Sequence, residues 1–271
     1  METKEVADIS LIICTYNWPE ALDLCLRAVK NQTMMPREVI IADDGSSSET
    51  RRLIESYQAN FPTQLIHVWQ EDKGFRLAMI RNRAIKRANS PYIVQIDGDV
   101  IPERHFVEDH LSIAEKGCFI RGTRSRLTED RSREILQSKQ YQIRIFSSGI
   151  HNRFNALRIP FLSFLSVKKE KSGSKVKGCN MAFWKEDLEK VNGYNSDLEG
   201  WGHEDEDLCW RLVNNGILKK IVKLKAIVFH LHHKECSKEN EQNHLDSLKR
   251  VKEEGITSAT NGLNELTDDL S

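Results

Sequence analysis

The sequence lacks a long apolar run, an excess of either charge and a basic leader, and each absence excludes a class of protein. Its 40 lysine and arginine residues balance 40 aspartate and glutamate residues, so no net field favours nucleic acid or an anionic membrane as a partner. The longest apolar stretches, such as residues 161–167, are far shorter than a bilayer span. The first residues are acidic and polar, which argues against a secretory signal.

Paired cysteine motifs are also missing. No two of the six cysteines have the Cys-x-x-Cys spacing that is typical of metal sites and redox pairs. Cys14 and Cys118 lie in apolar, strand-like runs, where a thiol behaves as a small hydrophobe. We therefore expect a reduced, cytoplasmic protein without a disulfide framework.

What the first half does contain is a regular alternation of strand-like and helix-like runs. A chain of 271 residues can bury a substantial core. Strands separated by helices of this length predict an α/β fold with a mostly parallel sheet and right-handed crossovers. The predicted elements, strand first and then alternating, are residues 9–15, 19–31, 38–44, 47–57, 63–70, 76–88 and 92–97.

The second half has a less regular pattern. Residues 122–174 contain mixed basic and aromatic residues, and we interpret this segment as an insertion or a helical lid beside the sheet. A helix is predicted at residues 204–216 and a single late strand at 219–233. We expect a surface helix at 237–254, followed by a flexible end.

Asp97 and Asp99 end the last strand of the first half, in the string PYIVQIDGDVIP. One interpretation is a turn, because Asp-Gly is a common turn signal. The other is chemical, because two acids one pleat apart can hold a divalent cation against a diphosphate.

Polar clusters also follow two other predicted strands. Ligands bind beyond the carboxyl ends of the strands in an open parallel sheet, so three polar clusters at one rim favour a ligand site over three chance turns. The additional residues are Thr15, Tyr16 and Asn17 after the first strand, and Asp43, Asp44, Gly45 and Ser46 after the second.

A second constellation lies in the string EGWGHEDEDLCW. Glu204, Asp205 and Glu206 occupy the first turn of a predicted helix, where acids are common because the helix dipole favours them. Trp201, between two glycines, adds a flat apolar face of the kind on which sugars stack. Acids beside such a face can bind sugar hydroxyls, and this favours a binding function over ordinary helix-start acids.

Three histidines follow one another closely near the end of the late strand. A lone histidine is more often structural, whereas His230, His232 and His233 in a chain with an acidic pair suggest metal ligands. One of them is expected to complete the coordination that Asp99 begins, and spacing alone leaves open which one.

Arginines at residues 76, 81 and 83 lie in or just before the third helix. A solvated basic face is the simpler interpretation for some of them. Arg76 follows Gly74 and Phe75 near the loop rim, so we predict that it reaches a phosphate.

These motifs together carry a resemblance to known enzymes. The segments ISLIICTYN, IIADDGS and YIVQIDGDVIP resemble family-2 glycosyltransferases of the GT-A fold. The segment KGCNMAFWKEDLEKVNGYNSDLEGWGHEDEDL is similar to the C-terminal region of β-1,4-galactosyltransferases and bacterial chondroitin-type polymerases. The two matches cover residues 9–111 and 175–233.

The resemblance implies an inverting transfer of a hexose or N-acetylhexosamine from a UDP-sugar to a glycan or lipid-linked glycan, dependent on Mn²⁺ or Mg²⁺. Mn²⁺ suits a site of carboxylate, imidazole and phosphate better than Mg²⁺ does. By position, Thr15, Tyr16, Asn17, Asp44, Arg76 and Asp97 would bind the nucleotide-sugar. Asp99, His230 and His233 would bind the metal, Trp201, Glu204 and Glu206 the acceptor, and Asp205 would be the catalytic base.

The resemblance also suggests a division of the chain. Residues 1–121 would be the nucleotide-sugar-binding half and 122–174 an insertion or lid facing acceptor or membrane. Residues 175–236 would be the acceptor-binding and catalytic half, and 237–271 a helix and flexible tail. Two departures affect the acceptor side, because His203 stands where galactosyltransferases have Gly, and Glu206 where they have Asp.

Five lysines follow the apolar run at 161–167, at positions 168, 169, 171, 175 and 177. They suggest peripheral contact with the anionic inner face of a membrane, or simply a solvated loop. The function expected is bacterial surface-polysaccharide synthesis, such as lipopolysaccharide or capsule. A sugar nucleotidyltransferase would need a Gly-rich basic loop after the first strand, and a binding module would not need Gly-Trp-Gly beside Glu-Asp.

Overall fold

The computed structural model describes residues 4–234 and 241–267. Its first half follows the alternation that the sequence predicts. The strands there are β1 (Val6–Thr15), β2 (Met35–Asp43), β3 (Gln64–Trp69), β4 (Tyr92–Asp97) and β5 (Val100–Pro102). The helices are α1 (Pro19–Lys30), α2 (Ser48–Gln58), α3 (Leu77–Arg87) and α4 (Phe106–Ile113).

The second half adds seven strands, four α-helices and two 3₁₀ helices (Arg153–Ala156 and Pro160–Ser166) within the described residues. The strands are β6 (Cys118–Arg121), β7 (Thr123–Leu127), β8 (Ile150–His151), β9 (Lys168–Glu170), β10 (Asn180–Trp184), β11 (Leu218–Ile221) and β12 (Ile227–His230). The helices are α5 (Glu129–Ser138), α6 (Lys185–Lys190), α7 (Glu204–Asn214) and α8 (Glu241–Glu253).

Eight strands form the main sheet, in the order β3-β2-β1-β4-β10-β6-β11-β9. The pairs β1–β2, β1–β4 and β2–β3 are parallel, which confirms the predicted α/β sheet. Strand β10 is antiparallel to both of its neighbours. Buried aliphatic side chains of β1, β2 and β4 cover both faces of the sheet, as expected for strands with helices on either side.

A smaller sheet has the order β5-β12-β7-β8. Its strand β12 pairs antiparallel with β5 and parallel with β7. This sheet therefore joins the chain directly after the Asp-Gly-Asp motif to two distant segments of the second half.

The prediction of one late strand at 219–233 is wrong. The structure has two strands there, β11 in the main sheet and β12 in the smaller one. Leu224 and Ala226 between them adopt φ values of 64° and 50°, which no extended strand can contain.

Residues 122–174 do not stand apart from the sheets. Their strand β7 lies inside the smaller sheet, and their strand β9 pairs with β11 at the edge of the main sheet. The chain after α8 is also less loose than expected: Leu263 is buried, and its backbone N–H donates to the Asn192 carbonyl. Residues 268–271, the rest of the predicted tail, lie outside the described residues, as does the 237–240 part of the predicted surface helix.

None of the described helices combines the length and the apolar character that crossing a membrane requires.

Candidate active site

A cleft of about 460 Å³ lies at the carboxyl ends of β1, β2 and β4. It is the place where ligands bind in open parallel sheets. Most of the residues singled out from the sequence line it: Thr15, Tyr16, Asp44, Asp97, Asp99, Trp201, Glu204, Asp205, Glu206 and His233.

The ends of β1 and β2 supply part of the lining of the cleft. Asp44 is buried, and its two oxygens accept hydrogen bonds from the Gln70 amide and the Arg76 backbone N–H. Burial raises the pKa of the Asp44 carboxyl. Tyr16 is half exposed, and its hydroxyl donates to Asp72 over 3.0 Å. The Tyr16 ring therefore lines the cleft, with its hydroxyl held by the Asp72 carboxylate.

Asn17 and Arg76 are outside the lining of the cleft. Asn17 joins the ends of two strands, because its backbone N–H donates to Ser46 and its side-chain oxygen accepts from the Ser47 N–H. The Arg76 guanidinium donates to the Glu71 carbonyl oxygen instead of pointing into the cleft. The structure thus gives both residues contacts that hold loops, and the role of Arg76 at a phosphate stays a prediction.

Arg81 is the residue that sequence reasoning missed. It is only 1% exposed, and its Nη1 donates to Glu204 Oε1 and to Asp205 Oδ1, both over 3.0 Å. Its Nη2 lies 3.6 Å from Asp97 Oδ1. One guanidinium on α3 therefore connects the carboxylate after β4 with the carboxylates at the start of α7.

The helical spacing of α3 contained a signal for this role. Arg81 lies four residues after Leu77 and three before Ala84, so it falls on the apolar face of the helix. An arginine on a buried face needs a carboxylate partner, since an unpaired buried charge is very costly. The helical pattern therefore indicates Arg81, and not the other arginines of this segment, as the partner of buried carboxylates.

Burial and carboxylate neighbours shape the electrostatics of this group. The pKa of Asp97 is raised, chiefly by burial and then by the nearby Asp99 and Asp205 carboxylates, while Arg81 opposes the shift. The pKa of Glu204 is also raised by burial and by Asp205. Each added negative charge here is unfavourable, so the site favours a cation.

Asp205 is held at both oxygens. Its Oδ1 accepts from Arg81, and its Oδ2 accepts from the Gly178 backbone N–H over 2.8 Å. A Cβ at Gly178 would lie 2.5 Å from both Arg81 Nη2 and Asp205 Oδ2, so only glycine permits this approach. The carboxylate that lines the cleft is therefore rigidly placed.

Asp99, His230 and His233 form a group that could hold a metal ion. Their ligand atoms all lie within 4.8 Å of one another. His233 Nε2 is 3.2 Å from Asp99 Oδ2, and His230 Nε2 is 3.6 Å from Asp99 Oδ1. His232 is not part of this group; its backbone N–H donates to Ser132 instead.

The hydrogen bonds of these two histidines show that a cation fits. Each Nδ1 lies 2.8 Å from a backbone carbonyl oxygen, that of Leu231 or Lys234. A carbonyl only accepts, so in each neutral ring the proton is on Nδ1 and the Nε2 lone pair faces Asp99. Asp99 Oδ1 is buried and has no hydrogen-bond partner among the described residues.

The smaller sheet creates this group. His230 on β12 is opposite Val100 on β5, and the Leu231 N–H donates to the Asp99 carbonyl oxygen. Burial lowers the pKa of His230, which keeps its ring neutral and available as a ligand. Asp97, Cys179 and His230 form a second, overlapping group whose ligand atoms also lie within 4.8 Å.

Another part of the cleft lining is formed by the chain around the start of α7. Trp201 and Glu206 line it, and Glu206 Oε1 accepts from the Lys175 backbone N–H over 2.7 Å. His203 adopts φ 66°, a left-handed conformation that starts α7 with its acids facing the cleft. The arrangement thus places a flat aromatic ring and a fixed carboxylate in the same cleft as Asp99 and His233.

Two family models match the sequence. The model for glycosyl transferase family 2 matches residues 10–173, and that for the N-terminal domain of galactosyltransferase matches residues 158–234. Among curated proteins, validoxylamine A glucosyltransferase of Streptomyces hygroscopicus subsp. limoneus is 28% identical over 79% of this chain and 50% of its own length. Chondroitin synthase of Pasteurella multocida is 26% identical over 90% of this chain and 27% of its own length. The chain thus spans half or less of these two relatives.

Solved structures share the fold at low identity. TarS of S. aureus has a TM-score of 0.60 at 14% identity, over 90% of this chain and 39% of its own. The mannosyltransferase PcManGT of Pyrobaculum calidifontis, solved in complex with GDP-Man and Mn²⁺, has a TM-score of 0.56 at 18% identity, over 82% of this chain and 56% of its own.

Proposed function

Since the chain belongs to glycosyl transferase family 2, we propose that it transfers a hexose or N-acetylhexosamine from a UDP-sugar to a sugar hydroxyl, with inversion. The resemblance deduced from the motifs is confirmed, and the GT-A fold with it. The observation that carries the proposal is one shared cleft. Asp99, His233 and Asp205 all line it, His230 completes the ligand group with Asp99 and His233, and Arg81 links Asp205 to Asp97.

A divalent cation is the cofactor in this proposal. Asp99, His230 and His233 would hold it, and the unpaired Asp99 Oδ1 and the two Nε2 atoms that face Asp99 support this assignment. The mixed carboxylate and imidazole ligands favour Mn²⁺ over Mg²⁺. Such an ion neutralises charge on the leaving diphosphate. The structural neighbour PcManGT was solved with Mn²⁺, which agrees with this choice.

Asp205 is proposed as the general base. Inversion requires an acceptor hydroxyl on the face opposite the leaving group, and a carboxylate there can take its proton as the new bond forms. Arg81 and the Gly178 N–H fix both oxygens, so the group is preorganised rather than mobile. Trp201, Glu204 and Glu206 are proposed to bind the acceptor sugar beside it.

The uracil is proposed to bind between Tyr16 and Asp44, with Thr15 and Asn17 near by and Asp97 toward the ribose or donor sugar. The half-exposed Tyr16 ring and the buried Asp44 support this position. Arg76 was predicted to bind phosphate, and its contact with the Glu71 carbonyl would have to break first. PcManGT was solved with a GDP-sugar, so the experiment below must test whether the nucleobase of the donor is uracil or guanine.

Synthesis of a bacterial surface polysaccharide, lipopolysaccharide or capsule, is the proposed setting. The relatives include chondroitin and hyaluronan synthases, which supports a role in polysaccharide assembly. Peripheral membrane contact is proposed through the exposed side chains of Phe161, Phe164 and Leu165. Of the lysines that follow, Lys168 pairs with Glu170 and Lys169 with Glu115, so part of the basic charge is already neutralised.

A thermal-shift screen of UDP-, GDP- and ADP-sugars with and without Mn²⁺ tests the proposal. We expect a UDP-sugar to raise the melting temperature only when Mn²⁺ is present, followed by UDP release when a glycan is added. A non-catalytic binding module would show the shift without any UDP release or slow hydrolysis. The absence of a shift with every nucleotide-sugar and cation would contradict the proposal.

A further inference from the structure

A second cavity, of about 280 Å³, adjoins the cleft. The two share Arg124, Lys177 and Cys179. Farther from the cleft, the cavity is lined by residues that the cleft does not contact, among them Arg121, Arg126, Asn152 and Asn155. The cavity and the cleft are therefore neighbours on either side of these three residues.

The cavity is cationic. Arg121, Arg124, Arg126 and Lys177 line it, and no carboxylate is found among its described lining residues. Glu170 is the acidic residue that acts on Arg121, but its oxygens already bind Lys168 and Lys219. The positive charges thus face one another with no carboxylate among the described residues that line the cavity.

Burial and the mutual repulsion of these cations lower the pKa of two of them, Lys177 and Arg121. The pKa of Lys177 is lowered by burial and by the charges of Arg124, Arg126 and Arg121. The pKa of Arg121 is lowered by burial and by Arg124. A bound anion would relieve both effects, because an opposite charge within a few ångströms stabilises the charged forms.

The backbone that carries these arginines is firmly held. Arg124 and Arg126 lie two residues apart on β7 and share one face. The Asn155 amide donates to the Arg124 carbonyl over 3.2 Å, and the Asn180 amide donates to the Thr123 carbonyl over 2.8 Å. Nε of Arg121 is buried and has no hydrogen-bond partner among the described residues. Donors are therefore in place for an acceptor-only ligand.

We propose that this cavity is an oxyanion subsite, which binds a carboxylate or phosphate carried by the acceptor. The assignment to the acceptor rests on the proposed function. The cavity adjoins the group around His230 through Cys179, and it adjoins Asp205 through Lys177, the neighbour of Gly178, whose N–H donates to Asp205. The assignment to the acceptor follows from the second of these contacts. The segment 122–174, which supplies the arginines and asparagines of β7 and its neighbours, would thereby select the acceptor.

A binding experiment tests the subsite without any turnover. Inorganic pyrophosphate is titrated, with a chelator present so that no divalent cation can bind, against the wild type and Arg126→Gln. We expect the variant to bind it about tenfold more weakly, since one charge-assisted hydrogen bond is lost. Arg37→Gln is the matched control, because Arg37 is an exposed arginine at the start of β2 that pairs with Asp8. Equal affinity in Arg126→Gln and wild type, or no binding by the wild type, would overturn the subsite.

A kinetic experiment tests the assignment to the acceptor. KM values are compared for two matched acceptor pairs: a glucuronide against a glucoside, and a sugar phosphate against its methyl glycoside. In the wild type the charged member of one pair should have the lower KM, and Arg126→Gln should reduce that preference about tenfold, with Arg126→Lys restoring part of it. The responding pair identifies the anion as a carboxylate or a phosphate.

The two experiments distinguish a failure of the acceptor assignment from a failure of the proposed function. Weakened pyrophosphate binding with an unchanged acceptor preference would overturn the acceptor assignment and give the subsite to the donor diphosphate. If no nucleotide-sugar is turned over but pyrophosphate binding still depends on Arg126, then the proposed function fails and the oxyanion subsite stands.

Discussion

Nε2 of His233 lies 3.2 Å from Oδ2 of Asp99, although the two residues come from opposite halves of the chain. Both atoms are acceptors when the histidine is neutral, since its Nδ1 faces the Lys234 carbonyl. Two acceptors at this separation are stable with a cation between them or a proton on the ring. The same relationship holds for His230 and the other Asp99 oxygen.

We predict that His233→Ala and Asp99→Asn each weaken Mn²⁺-dependent UDP binding by at least about 100-fold, because loss of an outer-sphere partner alone costs roughly 10–100-fold in metal affinity. Calorimetric titration of UDP with and without Mn²⁺ measures this. His232→Ala is the matched control, since His232 lies outside the group and should retain wild-type affinity. UDP binding that is unchanged in His233→Ala would contradict the metal assignment.

Asp205→Asn should reduce transfer by about 10²–10⁴-fold while UDP binding stays nearly intact. The amide keeps the size of the carboxylate but cannot take the acceptor proton. Turnover is measured as UDP release at saturating donor and acceptor, and UDP affinity by calorimetry. A variant that keeps most of its turnover would show that another group is the base.

Arg81→Met should destabilise the fold by about 3–5 kcal/mol, since it leaves buried carboxylates without their partner. Glu204 and Asp205 both accept from Arg81, and Asp97 lies close to it, so the loss affects three acids at once. Urea unfolding measures the free energy, with Arg52→Met on the exposed side of α2 as the control. If the two variants were equally stable, Arg81 would not be the link that we describe.

Acid should destabilise the protein in part through His110. Burial lowers its pKa to about 4, and its Nδ1 has no partner among the described residues, so a second ring proton would be buried unpaired. Because the unfolded chain titrates near pH 6.5, it binds the proton more readily than the folded state does between about pH 6.5 and 4. The free energy of unfolding therefore falls as pH decreases through this window, by up to about 1.4 kcal/mol per pH unit.

His110→Gln should reduce the pH dependence of the free energy of unfolding by the contribution of about one proton. Urea unfolding at several pH values measures this. The exposed His151→Gln serves as the control and should keep the wild-type slope. A His110→Gln slope identical to that of the wild type would show that other groups cause the acid sensitivity.

Replacement of Phe161, Phe164 and Leu165 by serine should abolish sedimentation with vesicles that contain anionic phosphatidylglycerol. These side chains are 75%, 69% and 71% exposed, so their apolar surface is available to a bilayer. Pure phosphatidylcholine vesicles are the comparison for charge. If the wild type sedimented with neither kind of vesicle, or if the serine variant sedimented as the wild type does, then membrane contact through this surface would be excluded.

The local patterns of the sequence were sufficient for the parallel half of the sheet. Apolar runs such as residues 9–15 and 92–97 become buried strands because a strand covered on both faces must be apolar throughout. Their polar ends meet at one edge of the sheet, because parallel strands run in the same direction and their carboxyl ends lie on the same side. Thr15, Asp44, Asp97 and Asp99 could therefore be placed in one site before any contact was known, and Trp201 and Asp205 joined them through the resemblance.

Only the tertiary structure decided which histidines meet Asp99, which arginine meets Asp205 and where the late strand breaks. The antiparallel pairing of β12 with β5 aligns His230 with Val100, and no local pattern specifies a pairing between segments so far apart. Arg81 is buried among carboxylates only because the fold brings the first turn of α7 to its side chain, whereas Arg76, just before α3, donates to a loop carbonyl. Strand register and helix packing depend on the whole chain, so these contacts lie beyond what residue spacing can determine.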